Sequence, residues 1–279
     1  MVAVDSPFLL FGIVVYREKF WESVSFKTLL QSFQSDAHRV QNLSIFIFDN
    51  TDIDGWNVQH EMPIFHGVDL YYFHDQSNPG LAKAYNKIAE YAYQNHIAWM
   101  ILLDQDTTLP KQIYNLYSEA AENTSIKIKV PQVFSADQLI SPSAYKAYRS
   151  FQLQKVDPIM KLHNLSCINS GMMIDVTFFR QIGGYNSFFK LDFCDHDFIE
   201  KVKKYTPSIG ILPARLQQNF SSEVHTKEQA LTRYKMYVRD LKIYYQNRNP
   251  FLVFFMVDAP HLLKLILTYK SLTFFAIRF

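Results

Sequence analysis

Short apolar segments alternate with longer amphipathic segments through the first half of the chain. The apolar segments predict four β-strands, at Leu9–Tyr16, Leu43–Asp49, Val68–Phe73 and Ala98–Asp104. Ile45–Phe48 and Met100–Leu103 are unbroken apolar runs, which are typical of strands buried on both faces of a parallel sheet. The amphipathic segments predict three helices, at Trp21–Gln34, Gly80–Asn95 and Lys111–Glu122. This alternation predicts an α/β fold with a mostly parallel central sheet and ligands at the carboxyl ends of its strands.

The pattern is less regular in the middle of the chain. Gln138–Lys155 has no clear period, and we expect a mobile loop there. The remaining patterned segments predict strands at Leu165–Ile174 and Ile209–Leu212 and short helices at Phe178–Gly184 and Asp195–Lys204. Pro213 should end the second of these strands, because proline has no N–H to donate within a sheet.

The end of the chain has a different character. Lys227–Asn247 predicts a helix rich in Lys, Arg and Tyr, and Phe251–Phe279 is strongly apolar but interrupted by charged residues. A spanning helix needs about 20 mostly apolar residues, so the interruptions favour an interfacial amphipathic helix or helix pair. Helices packed on the core are the alternative. We expect an α/β domain over residues 1–224 and a helical extension over residues 225–279 that contacts a membrane surface.

Composition narrows the classes of protein. The 279 residues include 28 basic and 26 acidic side chains, and the net charge of +2 gives no reason to expect nucleic acid as a partner. Cys167 and Cys194 form no CxxC pattern, which fits a reducing compartment. The apolar run from Phe8 to Tyr16 is too short to span a bilayer and lacks the flanks of a signal peptide. The expected location is the cytoplasm, with peripheral attachment to the inner face of the cell membrane through the tail.

Two carboxylates follow the fourth predicted strand. Asp104 and Asp106 stand two positions apart at its end, where both can reach one hard cation such as Mg²⁺ or Mn²⁺. Such a cation neutralises a diphosphate leaving group as its bond to a sugar breaks. The alternative is a pair of ordinary turn or helix-capping residues. This pair is the candidate metal site, and Asp104 is also a candidate ribose contact.

Other strand ends carry candidate nucleotide-binding residues. Asp49 would accept hydrogen bonds from a nucleobase or ribose, and Tyr16 would stack on a base. Pro79-Gly80 predicts a turn that lets the backbone approach a ligand, and Lys83 in the first turn of the next helix would face an anion. The alternatives are a turn residue at Asp49, a core edge at Tyr16 and an ordinary helix start after Gly80.

In this order the segments resemble the family 2 glycosyltransferases, which are inverting enzymes with the GT-A fold. The resemblance is to rhamnosyltransferase-like members of bacterial surface polysaccharide assembly. Their signatures are a strand ending Tyr-Asn, a strand ending Asp-Asn, Asn-x-Gly-x-Ala-x-Ala-x-Asn, and Leu-Asp-Gln-Asp-Ser. Here they correspond to Val15-Tyr16-Arg17, Asp49-Asn50, Asn78 to Asn86, and Leu103 to Thr107. Arg17 stands where the family has Asn, and Asn78 joins the nucleotide-sugar contacts that the resemblance implies.

The resemblance extends to about residue 249. Ile168 to Ile174 is similar to the family's small-residue strand, which implies a sugar and acceptor pocket at Asn169, Ser170 and Gly171. The Gly183-Gly184 turn resembles a Gly-Gly-Phe-Asp turn. Leu191 to Phe198 resembles an Asp-x-x-Asp-x-Glu-Phe block, with Lys201 where an Arg is usual. This block implies an acceptor contact at Asp192 and the general base at Asp195.

One carboxylate base is chemically sufficient for inversion. It takes the proton of the acceptor hydroxyl opposite the leaving group, and no carboxylate nucleophile is needed. Asp192 and Asp197 remain alternative bases. For Asp192, Asp195 and Asp197 together, the alternative is a solvated acidic cluster at the start of a helix.

One further position departs from the family pattern, and one further segment matches it. Gln218 stands where many members have a His that contacts the metal or diphosphate, and His225 is a nearby alternative ligand. Tyr244 to Asn249 matches Tyr-Tyr-x-x-Arg-Asn, which implies that Arg248 binds the diphosphate. A basic helix face that meets anionic lipid is the alternative.

The expected function is that of an inverting glycosyltransferase in polysaccharide or O-antigen synthesis. The resemblance implies dTDP-rhamnose as the donor, with UDP-galactofuranose or a UDP-hexose next. The expected acceptor is a lipid-linked saccharide, because the apolar, basic tail could hold the enzyme at the inner leaflet. A nucleotidyltransferase is disfavoured because Arg17–Trp21 lacks the glycine-rich loop of that class. A non-catalytic glycan- or membrane-binding module is disfavoured because Asp104, Asp106 and Asp195 are all present.

Overall fold

The first four strands form the parallel half of the central sheet. The computed structural model describes residues 9–35, 42–56, 58–218 and 226–279. The strands are β1 (Leu9–Val15), β2 (Leu43–Asp49), β3 (Val68–His74) and β4 (Trp99–Asp104), and the helices are α1 (Val24–Ser35), α2 (Leu81–Gln94) and α3 (Ile113–Glu122). The strands pair in the order β3–β2–β1–β4, all parallel. The four predicted strands and three predicted helices are confirmed.

The second half of the chain completes the sheet. Its strands are β5 (Thr107–Thr108), β6 (Ile128–Ser135), β7 (Gln138–Ser141), β8 (Ser143–Lys146), β9 (Arg149–Gln152), β10 (Ile159–Lys161), β11 (Leu165–Ser166), β12 (Met172–Asp175) and β13 (Ser208–Gln218). Strand β12 lies antiparallel between β4 and β6, and β13 runs parallel to β6. The short strands β10, β5 and β7 pair with the edges of β13 and β6. The predicted α/β fold with a mostly parallel sheet is confirmed.

The prediction of a loop over Gln138–Lys155 was wrong. Strand β7 pairs with the end of β6, and β8, β9 and β11 form a separate three-stranded sheet. All four residues of β9 are exposed, so no apolar face marks that strand in the sequence. Strand β8 pairs on its other side with β11, which is remote in the chain, because Leu165 lies opposite Ala144. Pairing of this kind leaves no local period to detect.

Two other strand predictions are corrected. The segment Leu165–Ile174 forms two strands, β11 and β12, because the backbone turns at Gly171, where φ is +80°. Strand β13 continues through Pro213 instead of ending there. Its register with β6 shifts between Ile211 and Arg215, and this bulge accommodates a residue without an N–H.

Helices pack on both faces of the sheet. Helices α1 and α3 cover one face, while α2, α4 (Val176–Gln181) and α5 (Cys194–Val202) cover the other. A Cβ atom at Gly12 of β1 would lie 2.6 Å from Ile88, so glycine allows α2 to lie directly on the strand. The predicted helices Phe178–Gly184 and Asp195–Lys204 correspond to α4 and α5, each shifted towards the N-terminus. The two faces together hold the sheet whose strand ends form the candidate site.

The C-terminal helices pack against one another. They are α6 (Lys227–Tyr244), α7 (Pro250–Val253), a π-helical segment (Phe254–Asp258), α8 (Ala259–Tyr269) and α9 (Thr273–Arg278). Thr226 and Gln229 form a capping box that begins α6. Tyr234 of α6 packs with Leu262 and Phe274. Contrary to our expectation, the helical run Pro250–Tyr269 is long and apolar enough to cross a membrane by length and composition, a property that core helices also have.

A buried ion pair connects these helices. Asp258 is 0% exposed, bonds to the Arg278 guanidinium of α9, and accepts a 2.9 Å hydrogen bond from the Tyr234 hydroxyl of α6. Removal of one partner from a buried pair leaves an uncompensated charge, which is costly. Asp258 therefore fixes α9 and the π-helical segment on α6.

We predict that Asp258→Asn lowers the free energy of unfolding by roughly 2–3 kcal/mol, because Arg278 loses its counter-charge while Tyr234 keeps an acceptor. Urea unfolding followed by circular dichroism measures the change. Lys264→Gln, at an exposed position of α8, is the control and should change the free energy by less than about 0.5 kcal/mol. Equal stabilities of the two variants would contradict a structural role for the pair.

Candidate active site

Asp104 and Asp106 lie side by side at the carboxyl end of β4. The Asp104 carboxylate accepts a hydrogen bond from the Tyr85 hydroxyl at 2.8 Å and another from Gln218 Nε2 at 3.1 Å. The same Nε2 donates to Asp106 Oδ1 at 3.2 Å. The fold therefore brings the predicted acidic pair together with the end of β13 and with helix α2.

The oxygen atoms around Gln218 fit a hard divalent cation. Gln218 is 4% exposed, and its Oε1 atom has no hydrogen-bond partner among the described residues. A half-turn of the amide would direct Oε1 at both carboxylates, and Mg²⁺ and Mn²⁺ prefer oxygen ligands of this kind. Within the described ranges no three His, Cys, Asp or Glu side chains gather into a metal-binding group. Two carboxylates and one amide therefore form the candidate set; His225, the other predicted ligand, lies outside the described residues.

The turn before β12 places the predicted sugar pocket beside Asp104. The Gly171 N–H donates to the Leu102 carbonyl at 2.7 Å, and Ser170 Oγ lies 2.5 Å from Thr107 Oγ1. A Cβ atom at Gly171 would lie 2.5 Å from the Pro131 side chain, so only glycine allows this approach. The small residues expected from the sequence thus adjoin the acidic pair.

A chain of buried contacts connects Asp104 with the start of α5. The rings of Tyr85 and Tyr185 are 5.3 Å apart, and the Tyr185 hydroxyl donates to Asn169 Oδ1 at 2.7 Å. Asn169 Nδ2 in turn lies 3.5 Å from the Cys194 sulfur, next to Asp195. The predicted pocket residue Asn169 therefore lies between the two acidic positions.

Carboxylates near the buried Cys194 thiol affect its pKa. Burial raises its pKa well above the ordinary value, and Asp195, Asp104 and Asp192 raise it further. Carboxylates from two separate parts of the sequence, one at Asp104 and the other at Asp192 and Asp195, thus act on one buried atom. A buried thiol with a raised pKa is a poor nucleophile, so Cys194 is not among the candidate catalytic residues.

Asp195 and Asp197 occupy different sides of α5. Asp195 is partly buried and accepts a 2.7 Å hydrogen bond from the His196 N–H. Burial raises the pKa of Asp197, against the lowering effect of Lys201 and Lys204, so Asp197 faces those lysines. Lys201 also donates to the Gly184 carbonyl and anchors the Gly-Gly turn. Of the two carboxylates, Asp195 is the one that acts electrostatically on the buried Cys194 thiol, and its role as base stays a prediction.

Asp192 is bound by the protein itself. Its two oxygens accept hydrogen bonds from Nη1 and Nη2 of Arg233 on α6, the second at 2.7 Å. A carboxylate held by a guanidinium at both oxygens is poorly placed to accept a proton from an acceptor. The structure therefore disfavours Asp192 as an alternative base, and its contact with the acceptor stays a prediction.

Asp49 organises the loop after β2. Its buried carboxylate accepts hydrogen bonds from the Thr51 N–H at 2.9 Å, from Trp56 Nε1 at 2.8 Å and from the Tyr72 hydroxyl at 2.7 Å. These protein groups already occupy the oxygens of Asp49. The contact of Asp49 with a nucleoside stays a prediction. The partly exposed indole of Trp56 is a candidate stacking surface that the sequence analysis missed.

Tyr16, Arg17 and Asn78 meet at Asp52. The Tyr16 hydroxyl lies 3.1 Å from Asp52 Oδ1, the Arg17 guanidinium lies 2.8 Å from the same oxygen, and the Asn78 side chain also bonds to Asp52. Tyr16 is 39% exposed, so its ring remains accessible for stacking. Arg17, the departure from the family pattern, is therefore part of a polar cluster around Asp52.

Gly80 serves a different purpose from the predicted one. A Cβ atom there would lie 2.2 Å from the Lys190 carbonyl oxygen, and the Leu81 N–H donates to that oxygen at 2.7 Å. The close approach is thus to the chain's own backbone and not to a ligand. Lys83 is exposed and lines a cleft of about 190 Å³ with Lys190 and Arg239.

Arg248 lies on the α5 side of the site. It is exposed, four residues after the end of α6, and it has a small lowering effect on the pKa of Tyr145, which burial raises. The Tyr145 ring is 4.8 Å from the His196 ring, which adjoins Asp195 in the sequence. Binding of diphosphate by Arg248 stays a prediction.

Comparison with known proteins identifies the fold. No protein-family model and no curated protein matches the chain. The structure of GalNAc-T7 with UDP, GalNAc and Mn²⁺ is 14% identical, with a TM-score of 0.61 over 86% of this chain and 48% of that one. The structure of S. aureus TarS is 10% identical, with a TM-score of 0.54 over 84% of this chain and 39% of that one. A shorter S. aureus TarS chain with UDP-GlcNAc is also 10% identical, with a TM-score of 0.52 over 83% of this chain and 66% of that one.

These likenesses define the class of fold. The sheet order, the antiparallel strand β12 and the acidic pair after β4 accompany structural matches to glycosyltransferases. The chain has the GT-A glycosyltransferase fold. It spans between 39% and 66% of the length of the solved chains named above. The fold does not distinguish subgroups of glycosyltransferases, so the assignment to the rhamnosyltransferase-like subgroup stays a prediction.

We predict that Gln218→Leu weakens Mn²⁺ binding about tenfold, because the site loses its amide oxygen. Titration with Mn²⁺ in the absence of nucleotide, followed by electron paramagnetic resonance, measures the affinity. Gln217→Leu is the matched control, since neighbouring residues of a strand point to opposite faces. Equal Mn²⁺ affinity in both variants would exclude Gln218 as a ligand.

Proposed function

We propose that the protein is an inverting glycosyltransferase that moves a sugar from a nucleoside diphosphate to a hydroxyl group of a saccharide acceptor. The observation that carries the proposal is the chain of buried contacts that connects Asp104 with Cys194, the residue before Asp195, through Tyr85, Tyr185 and Asn169. The GT-A fold supports the same reaction class. An acidic pair for the donor and a separate carboxylate for the acceptor are the two parts that direct displacement needs.

The donor would lie across the ends of β1, β2 and β4. Tyr16, Trp56 and the Asp52 cluster would contact the nucleoside, and Asp104, Asp106 and Gln218 would hold Mg²⁺ or Mn²⁺. The cation, when bound, supplies positive charge to the leaving diphosphate. Tyr85 would fix the orientation of the Asp104 carboxylate through its hydrogen bond, while the Gln218 amide would turn its Oε1 atom towards the cation. Arg248 and Lys83 are further candidate contacts for the diphosphate.

Asp195 would act on the acceptor. As the acceptor oxygen forms its bond to the anomeric carbon, the bond between that carbon and the diphosphate oxygen breaks. The proton of the acceptor hydroxyl passes to the Asp195 carboxylate, and the configuration at the anomeric carbon is inverted. Asn169, Ser170 and Gly171 would line the sugar pocket between the two acidic positions.

We predict that Asp195→Asn reduces sugar transfer by about 10³-fold and leaves UDP affinity unchanged, because only the proton acceptor is lost. Release of nucleoside diphosphate and isothermal titration with UDP and Mn²⁺ measure the two quantities. Asp197→Asn is the matched control, two residues along the same helix, and should keep most of the activity. Loss of transfer in Asp197→Asn alone would assign the base to that residue.

The nucleobase and the sugar of the donor are further proposals. UDP is the first probe, since the GalNAc-T7 structure contains UDP and a TarS structure contains UDP-GlcNAc. The sequence resemblance supports dTDP-rhamnose, followed by UDP-galactofuranose or a UDP-hexose. Release of nucleoside diphosphate from a panel of these donors distinguishes them.

The surface of the C-terminal helices supports attachment to a membrane. Its exposed large apolar side chains are Phe251, Leu252, Phe255, Leu263, Leu267, Leu272, Phe275 and Phe279. Its exposed cations are Lys242, Arg248, Lys264 and Lys270. The acidic side chain of residues 241–279 is Asp258, which is buried against Arg278. An apolar, cationic surface of this kind fits the headgroup region of an anionic bilayer.

A lipid-linked saccharide is therefore the proposed acceptor. The enzyme would lie peripherally on the cytoplasmic side of a membrane, where such an acceptor is held. The C-terminal helices would bind the bilayer, while the sugar chain of the acceptor reaches Asp195. This proposal supports a role in the assembly of a surface polysaccharide or O-antigen.

We predict that the double substitution Phe255→Asp and Leu267→Asp weakens binding to anionic phosphatidylglycerol vesicles at least about tenfold, because it removes apolar contact and adds negative charge. Vesicle co-sedimentation measures the binding. Phe151→Asp, at a 52% exposed position of β9, is the matched control. Unchanged vesicle binding by the double variant would contradict membrane attachment through these helices.

A further inference from the structure

Asp240 of α6 is a buried carboxylate whose partners are backbone groups. It is 0% exposed and forms no ion pair with any residue that the structure describes. It accepts hydrogen bonds from the N–H groups of Lys190 at 3.1 Å, Leu191 at 2.8 Å and Asp192 at 2.9 Å. Three consecutive N–H groups thus point at one side chain from about 50 residues further along the chain.

The segment held by Asp240 leads directly into α5. Asp195 follows the last of the three bonded residues by three positions, and Phe193 between them has a left-handed φ of +62°. Arg233, two helical turns before Asp240, binds the Asp192 side chain. Helix α6 therefore holds the start of the α5 region through both backbone and side chain.

The other side of the same segment contacts the donor region. The Lys190 carbonyl accepts the Leu81 N–H at 2.7 Å, and Gly80 has no side chain to prevent this approach. Helix α2, which begins at Leu81, also provides Tyr85 to Asp104. Residues 190–192 are thus fixed between the helix that contacts the metal-binding carboxylates and the helix that carries Asp240.

Burial of an unpaired carboxylate is costly unless hydrogen bonds compensate it. At position 240 the compensation consists of N–H groups that would themselves be buried without partners. This arrangement defines the path of residues 190–192 more tightly than apolar packing would. A general base needs such definition, because it must lie within about 3 Å of the hydroxyl that it deprotonates.

We propose that Asp240 is a positioning residue for sugar transfer, which fixes residues 190–192 so that Asp195 keeps its place relative to Asp104. The proposal rests on the proposed function in one respect, namely that Asp195 acts on the acceptor. Asp240 touches neither donor nor acceptor. Its loss should therefore disturb the use of the acceptor hydroxyl more than the binding of the donor.

The test is Asp240→Asn, which keeps the shape of the side chain and replaces one acceptor oxygen with an NH₂ group. Hydrogen exchange should become at least about tenfold faster in peptides that cover residues 187–198, as a local bond is lost. UDP affinity should stay at the wild-type value. Transfer to a saccharide acceptor should fall about 10²-fold, with a smaller fall in donor hydrolysis, because water tolerates a displaced base.

Asp258→Asn is the matched control. Asp258 is equally buried and also contacts α6, through Tyr234, but within the described part of the chain its hydrogen bonds go to Tyr234 and Arg278 and not to residues 190–192. Its substitution should lower stability while exchange at 187–198 and the ratio of transfer to hydrolysis stay as in the wild type. The proposal is overturned if Asp240→Asn changes these two quantities no more than Asp258→Asn does. If Asp240→Asn does not fold, Asp240→Glu, which keeps the charge but displaces it, is measured in the same way.

Failure of the proposed function would be recognised separately. If the wild-type protein transfers sugar from none of the donors, that function is wrong. Hydrogen exchange in Asp240→Asn still decides whether Asp240 holds the segment. If the wild type is active and the variant keeps the wild-type ratio of transfer to hydrolysis, the positioning role alone is wrong.

Discussion

Mutual repulsion between carboxylates is the constraint on which this site depends. Asp104 and Asp106 stand beside each other, with Asp192 and Asp195 within electrostatic reach of the same thiol. The Tyr85 hydroxyl and the Gln218 amide donate hydrogen bonds to the acidic pair, and the Arg233 guanidinium binds Asp192. Neighbouring carboxylates repel one another, and a cation held between Asp104 and Asp106 would relieve that repulsion.

The sheet gathers these groups from distant parts of the sequence. Strand β4 ends at Asp104, and the antiparallel strand β12 brings Ser170 beside it through the pairing of Met172 with Leu102. Strand β13 passes along β6 and pairs with β5 at Gln218 and Thr107, so its last residue arrives at the acidic pair. The antiparallel strand β12 and the long strand β13, which runs parallel to β6, thus bring these residues to one site.

The parts that could be predicted from the sequence are those with a local signal. Strands β1, β2 and β4 are apolar runs buried on both faces, and the acidic pair follows β4 directly. The exposed strand β9 has no such signal. Pro213 suggested that strand β13 ends there, whereas the strand continues through a bulge that accommodates the proline. Asp240 lies on a helix rich in charged residues and resembles a solvated position until its remote N–H partners are known. Gly80 correctly indicated a close approach, but the backbone of Lys190 takes the place expected for a ligand.

A site completed by Gln218 would differ chemically from one completed by an imidazole. An amide neither gains nor loses a proton in mildly acidic or alkaline surroundings, so cation retention would be insensitive to cellular acidification. Nitrogen and sulfur ligands attract zinc and copper, whereas an all-oxygen set offers these competitors little advantage in ligand type. The substitution of one side chain at the end of β13 would thereby favour the abundant hard cations over scarce, tightly binding ones.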